Sequence, residues 1–241
     1  MSSATGTPGG TPLRLSRLRR TIGRRLRESV TTKPPVTLHT TAPADALRVG
    51  LQSERAAGRQ ASLTALVGLA TARSLLAHRD LNGFAFDDEV RLFDEVHLGI
   101  AVDTPGGLIV PVVRDAHLLS ASELATAIEG MAEKTRSGAL EPADVLDATF
   151  TITSLGVYGV EQFTPIVNPP QIAVLGIGAL RTVPSLGEDG WRESYVLHLS
   201  LTFDHAAVDG APAARFLADL VEALQDPLGT KTAASTIKEI G

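Results

Sequence analysis

Residues 195–210 read YVLHLSLTFDHAAVDG. Leu197, Leu199, Leu201 and Phe203 alternate with His198, Ser200 and Thr202, so an extended backbone puts the apolar set on one face and the polar set on the other. The pattern predicts a half-buried strand over 194–203. It runs straight into Asp204-His205, with Asp209 four residues beyond the histidine, then Gly210 and an apolar helical pattern over 211–224. An imidazole titrates near neutrality, and one held on a turn at the end of a buried strand is placed for general-base work. Asp209 can brace that turn or orient a side chain, and Gly210 permits backbone conformations that other residues avoid. The HxxxDG spacing is short, and by itself such a pattern is more often incidental than catalytic. His198, mid-strand and opposite the leucines, reads as a structural or interfacial histidine.

Upstream, residues 148–154 form a β-branched strand that empties into the double-glycine turn SLGVYG, leaving the hydroxyls of Thr153 and Ser154 at its mouth. A hydroxyl there can donate to a developing oxyanion, or it can simply end a strand. Further strands are predicted at 36–41, 90–93, 96–103, 108–113 and 171–179, with the turn Thr104-Pro105-Gly106-Gly107 between two of them. Helices are predicted over 61–78, with Ser62 as N-cap, and from the Ser120/Glu123 capping box to 136, with Gly138 as a left-handed stop. Leu15, Leu18, Ile22 and Leu26 mark an amphipathic helix over 13–30, stopped by Lys33-Pro34-Pro35. No repeat interrupts this order, and a single α/β domain over 13–228 is the simplest parse. Residues 1–12, rich in Gly, Pro, Ser and Thr, read as a flexible leader, and 229–241 as a polar tail.

The 241 residues contain no cysteine, which excludes disulfide scaffolds, thiolate nucleophiles and iron-sulfur clusters. Six histidines, at 39, 78, 97, 117, 198 and 205, show no metal-site spacing, so no metal is expected. No phosphate loop, dinucleotide fingerprint or serine-hydrolase elbow is present. No window approaches the roughly 18 consecutive apolar residues of a membrane span, and the chain reads as a soluble cytoplasmic protein. The net charge of −5 hides an asymmetry: residues 1–30 hold seven arginines against Glu28 alone. Such a helix can lie on nucleic acid or an anionic membrane. With aromatic residues only 4% of the chain and an acidic body, neither partner is expected. The helix is expected instead to dock its leucine stripe and pair its arginines with acidic groups.

In order, the segments SRLRRTIGRRLRESVTTKPPVTL, DTPGGLIVPVVRDAHLLSASELA, GALEPADVLDATFTITSLGVYG, FTPIVNPPQIAVLGIG and DHAAVDG resemble the catalytic domain of the dihydrolipoamide acyltransferases of 2-oxoacid dehydrogenase complexes. That family shares its fold and HxxxDG motif with chloramphenicol acetyltransferase. The resemblance implies an α+β two-layer sandwich, a mixed sheet flanked by helices. It also implies assembly as homotrimers with active sites at subunit interfaces and use of acetyl-CoA or CoA as co-substrate. By position it makes His205 the general base, Thr153 the oxyanion donor supplied by a neighbouring subunit, and Asp209 the residue that holds the site's architecture. It assigns no CoA-binding residue.

Three departures shape the expectation. Only 12 residues precede the first helix, so no lipoyl domain, and no covalently bound lipoate, is expected on this chain. Ala206 replaces the arginine usual in DHRxxDG, which touches acceptor contacts or local packing. The polar ending further favours a discrete trimer over a cage. The sequence thus resembles freestanding members that acetylate a hydroxymethyl group of a tetronate in natural-product biosynthesis, with a small hydroxyl-bearing molecule as acceptor. The alternatives are a dihydrolipoamide acyltransferase core whose lipoyl or carrier domain acts in trans or has been removed, and an inactive scaffold.

Overall fold

The structure, a computed structural model, describes residues 11–187 and 190–229. Most of the predicted leader and all but the first residue of the predicted tail therefore lie outside the described residues. In chain order the elements are α1 Arg17–Thr32, β1 Pro35–Pro43, α2 Asp45–Ala56, α3 Leu63–Leu75, β2 Gly83–Ala85, β3 Val90–Leu92, β4 Leu98–Ile100, β5 Val112–Val113, α4 Ala121–Ser137, β6 Phe150–Ser154, β7 Ala173–Gly187, β8 Gly190–Asp204 and α5 Gly210–Ala223. The main sheet runs β1-β8-β7-β6-β4-β5, parallel at β7/β6 and β6/β4 and antiparallel elsewhere. This is the expected mixed sheet. The strand predicted at 90–93 is outside it, paired with β2 in a small hairpin.

The alternation in β8 is what layers the molecule. Leu197, Leu199, Leu201 and Phe203 are fully buried, in one cluster with Leu175 and Ile177 of β7, Ile152 of β6, Leu66 and Leu69 of α3, Leu124 of α4 and Phe216 and Leu220 of α5. Each such side chain contributes roughly 1.5–3 kcal/mol through the water it leaves. Gly68 lets α3 approach the sheet, because a Cβ there would lie 3.2 Å from Ile152. Phe150 and Phe216 meet at 6.1 Å between ring centres, tying β6 to α5.

The opposite sheet face is polar and cross-linked between β1 and β8. Thr37 and Thr202 share a hydrogen bond of 2.8 Å, His39 and Ser200 one of 2.9 Å, and Thr41 and His198 one of 3.2 Å. The Thr151 hydroxyl donates to the Gln171 side-chain oxygen at 2.7 Å, and a Cβ on Gly176 would lie 2.9 Å from the tip of the Phe163 ring. A Cβ on Gly156 would overlap the Gly178 carbonyl, and Gly159 has φ 79°, so both glycines of the predicted turn are needed.

α1 docks along one face. Leu18, still 41% exposed, and Ile22 lie over Gly106 and Gly107, and the buried Ser29 hydroxyl donates to the Val167 carbonyl at 2.7 Å, whereas Leu15, ahead of the helix, stays exposed. Among the described residues no α1 arginine lies in an ion pair, contrary to expectation. Every acidic group that is paired already has a partner elsewhere in the protomer.

Three carboxylates tune the acid limit of stability. The Arg59 guanidinium hydrogen-bonds Glu54 and holds its carboxyl below the ordinary range. The Ser120 backbone N–H does the same to Glu123 within the capping box, and the Glu141 N–H to Asp144. A carboxyl lowered on folding contributes stability that is present above its unfolded pKa and lost as pH falls through the folded one. Tm is therefore expected to fall as the pH drops below about 4, with Glu54→Gln flattening that dependence; a Tm that stays level there for wild type contradicts this.

Candidate active site

At the end of β8 the backbone is held before it turns. The Asp204 N–H donates to Ile172, and the His205 N–H donates to the Pro34 carbonyl at 2.9 Å. The Asp204 carboxylate is buried; one oxygen accepts the Ala206 N–H at 3.1 Å and the other accepts Lys33 Nζ at 2.9 Å. The Ala207 and Val208 N–H groups both donate to the Asp204 carbonyl, and buried Val208 anchors the turn. From this fixed base the His205 ring projects, 42% exposed and 5.7 Å from the Phe203 ring. Its Nδ1 is 4.0 Å from Asp209 Oδ1, too far for a hydrogen bond, and Asp209 is 86% exposed.

Asp209 is the N-cap of α5 by backbone conformation, but its side chain caps nothing. Gly210 is the first residue of that helix, with no left-handed backbone and open space where a Cβ would stand. The conformational role expected of Gly210 is therefore not used. Ala206 is exposed and puts no charge beside the histidine.

Thr153 and Ser154 do not share a mouth. The alternation of β6 puts Thr153 on the polar face in register with Gly176, and Ser154 on the other side in register with Ile177. Thr153 is half-buried, and among the described residues its hydroxyl has no hydrogen-bond partner. Gly176 is in register with Ser200, five residues before His205. At strand geometry this places Thr153 about 17 Å from the level of His205 along the sheet, and two strands across. One protomer therefore holds the imidazole and the hydroxyl, each without a hydrogen-bond partner among the described residues, but does not bring them together.

His198 is a member of the polar ladder, with Nδ1 on Thr41 and Nε2 3.9 Å from Glu161. Sequence reasoning missed Lys33, which it took only as part of a helix stop, and the His39–Ser200 pair. Neither carries a local signal, since each partner lies on a distant strand. Two open surface hollows lie away from both His205 and Thr153: one is on the outer β7–β8 hairpin around Trp191, the other beside Gln225 after α5. Among the described residues there is no cluster of three or more metal-ligating side chains, and no helix is long and apolar enough to cross a membrane.

Residues 8–230 match the family of 2-oxoacid dehydrogenases acyltransferase (catalytic domain). The dihydrolipoyllysine-residue acetyltransferase component of the acetoin cleaving system of Bacillus subtilis is 40% identical over 217 residues, which cover 87% of this chain and 54% of that protein. The chain spans about half the length of the curated relatives it matches. A solved dihydrolipoamide acetyltransferase of Azotobacter vinelandii superposes with a TM-score of 0.86 at 32% identity, over 94% of this chain and 98% of that one. Chloramphenicol acetyltransferase superposes with a TM-score of 0.52 at 14% identity, covering 88% and 95%, which shows a shared fold. With its mixed sheet, its HxxxDG turn and these matches over nearly the whole described chain, the protein belongs to the acyltransferase catalytic-domain family of the 2-oxoacid dehydrogenases.

Proposed function

We propose that this chain transfers an acetyl or similar acyl group between coenzyme A and the thiol of a dihydrolipoyl group, with His205 as general base and Thr153 as oxyanion donor. The observation that carries the reading is a spacing. The serine, histidine and asparagine studied for their roles in the Azotobacter enzyme's catalytic mechanism are separated along its chain as Thr153, His205 and Asp209 are here. The Bacillus and Azotobacter relatives are acetyltransferases named for dihydrolipoyl groups, which favours a thiol acceptor over the hydroxymethyl acceptor that the sequence first suggested.

The residues present fit a thioester reaction. Coenzyme A supplies a thiol or its acyl thioester. The His205 imidazole, without a hydrogen-bond partner among the described residues, takes the proton of the attacking thiol and returns it to the departing one. The Thr153 hydroxyl, likewise without a partner among the described residues, donates to the carbonyl oxygen as negative charge gathers there. Because the two groups stand apart in one protomer, we place the working site between two copies of a homotrimer, His205 from one and Thr153 from the next. Asp209, 4.0 Å from Nδ1, places a carboxylate beside the ring without hydrogen-bonding it, and supports the site's architecture.

One observation favours a second reading. Ala206 stands where the motif usually has arginine, which leaves the acceptor side of the turn uncharged and open to a neutral alcohol. Acetyl transfer from acetyl-CoA to dihydrolipoamide and, in parallel, to a panel of hydroxymethyl compounds decides between them. Turnover with dihydrolipoamide is expected; turnover with hydroxyl acceptors alone overturns the thiol reading and establishes an O-acyltransferase.

A further inference from the structure

We propose that Lys33 is a positioning residue for the site, fixing through Asp204 the direction in which His205 points. The inference rests on the reading of His205 as the base. Lys33 and Asp204 are 7% and 4% exposed, and their charged atoms meet at 2.9 Å. The same ammonium donates to the Ala85 carbonyl at 3.1 Å, so it joins β2 to the turn as well. The Lys33 N–H closes the last turn of α1 on Ser29, and Ser29 is itself bonded to Val167.

The geometry is a two-residue clamp. Lys33 holds Asp204 by its side chain while Pro34, the next residue, holds the N–H of His205, the next residue after Asp204. The other carboxylate oxygen of Asp204 takes the N–H of Ala206. Residues on both sides of the histidine are thereby tied to one point, while the ring itself is bound to nothing. An exposed ring on an untethered turn would sample many directions; here the backbone that aims it is fixed by a desolvated ion pair. A buried carboxylate deprived of its cation is strongly unfavourable and turns toward water, and Asp204 can do so only by moving the turn that carries His205. A shift of about 1 Å at a reacting group is enough to lower a rate by about 10²-fold.

The test separates aim from mere stability. Lys33→Met leaves Asp204 buried without its cation; Lys33→Met/Asp204→Asn removes the stranded charge as well as the tether. Each is assayed for acetyl transfer from acetyl-CoA to dihydrolipoamide below its Tm, beside wild type and His205→Ala. The expected result is a kcat about 10²-fold below wild type for both Lys33 variants, with KM within about twofold, and a Tm that recovers in the double variant while kcat does not. If Lys33→Met fails to fold, the double variant decides. Recovery of kcat together with Tm in the double variant would make the pair purely structural and overturn the proposal. A raised KM at unchanged kcat overturns it too, since that is loss of binding. His205→Ala turning over at the wild-type rate overturns the underlying reading; an inactive His205→Ala beside a fast double variant overturns the role of Lys33 alone.

Discussion

His205→Ala is expected to lower kcat for acetyl transfer by about 10²–10⁴-fold, the range spanned by a positioned general base. Stability should hardly change. The ring is 42% exposed and among the described residues makes no hydrogen bond, so its loss removes little packing and strands no polar atom. Exposed substitutions of this kind usually stay within about 0.5 kcal/mol. The pairing of a large kinetic effect with an unchanged Tm is what distinguishes a chemical role from a structural one. An inactive scaffold, the remaining alternative from sequence, predicts no effect of the substitution on partner binding or on Tm, and no transfer in the wild type.

Thr153→Val is expected to cost about 10²–10³-fold in kcat, the usual loss on removing one oxyanion donor. Valine keeps the β-branched shape that suits β6 and removes only the hydroxyl, which has no hydrogen-bond partner among the described residues. Thr153→Ser, which keeps the donor, should retain most of the rate. KM for both substrates should move little in either variant, because the bond strengthens only as charge develops on the carbonyl oxygen. A Thr153→Val enzyme at full speed would remove Thr153 from the chemistry. Ser154 is no substitute, since it faces the other side of the sheet.

The parts of the fold visible in the sequence are those with strong local chemistry. The leucine alternation of β8 survives intact as the buried face of the sheet, and Ser120 with Glu123 forms the predicted capping box on α4, closed by Gly138 at φ 72°. Ser62 caps α3 by accepting the Ala65 N–H. α2 was not visible because Gly50 interrupts its apolar face, and that glycine is there to let the helix approach Pro227 and Leu66. The outer halves of β7 and β8, beyond Leu180, were not visible either. Residues 181–187 and 190–193 pair only with each other among the described residues and none of them is buried, so no apolar face is imposed on them.

The site divides the same way. Residue types came from the motif and the resemblance, whereas distances came from register. Nothing local to Thr153 or His205 states that they lie far apart in one protomer, or that Ser154 turns away. The clamp on Asp204 joins positions 171 residues apart, and Lys33 beside two prolines reads in sequence only as punctuation. The arginines of α1 are the converse case, where composition suggested internal ion pairs and the fold gives them none among the described residues.

The central claim is that one working site takes His205 from one copy and Thr153 from another, and mixing the two inactive variants tests it directly. His205→Ala and Thr153→Val proteins would be unfolded together, refolded as mixed assemblies and assayed for acetyl transfer to dihydrolipoamide. Random association gives a site with both groups intact about one time in four, so about a quarter of the wild-type rate should return. Mixed assemblies no faster than the two variants refolded separately would contradict a site shared between copies.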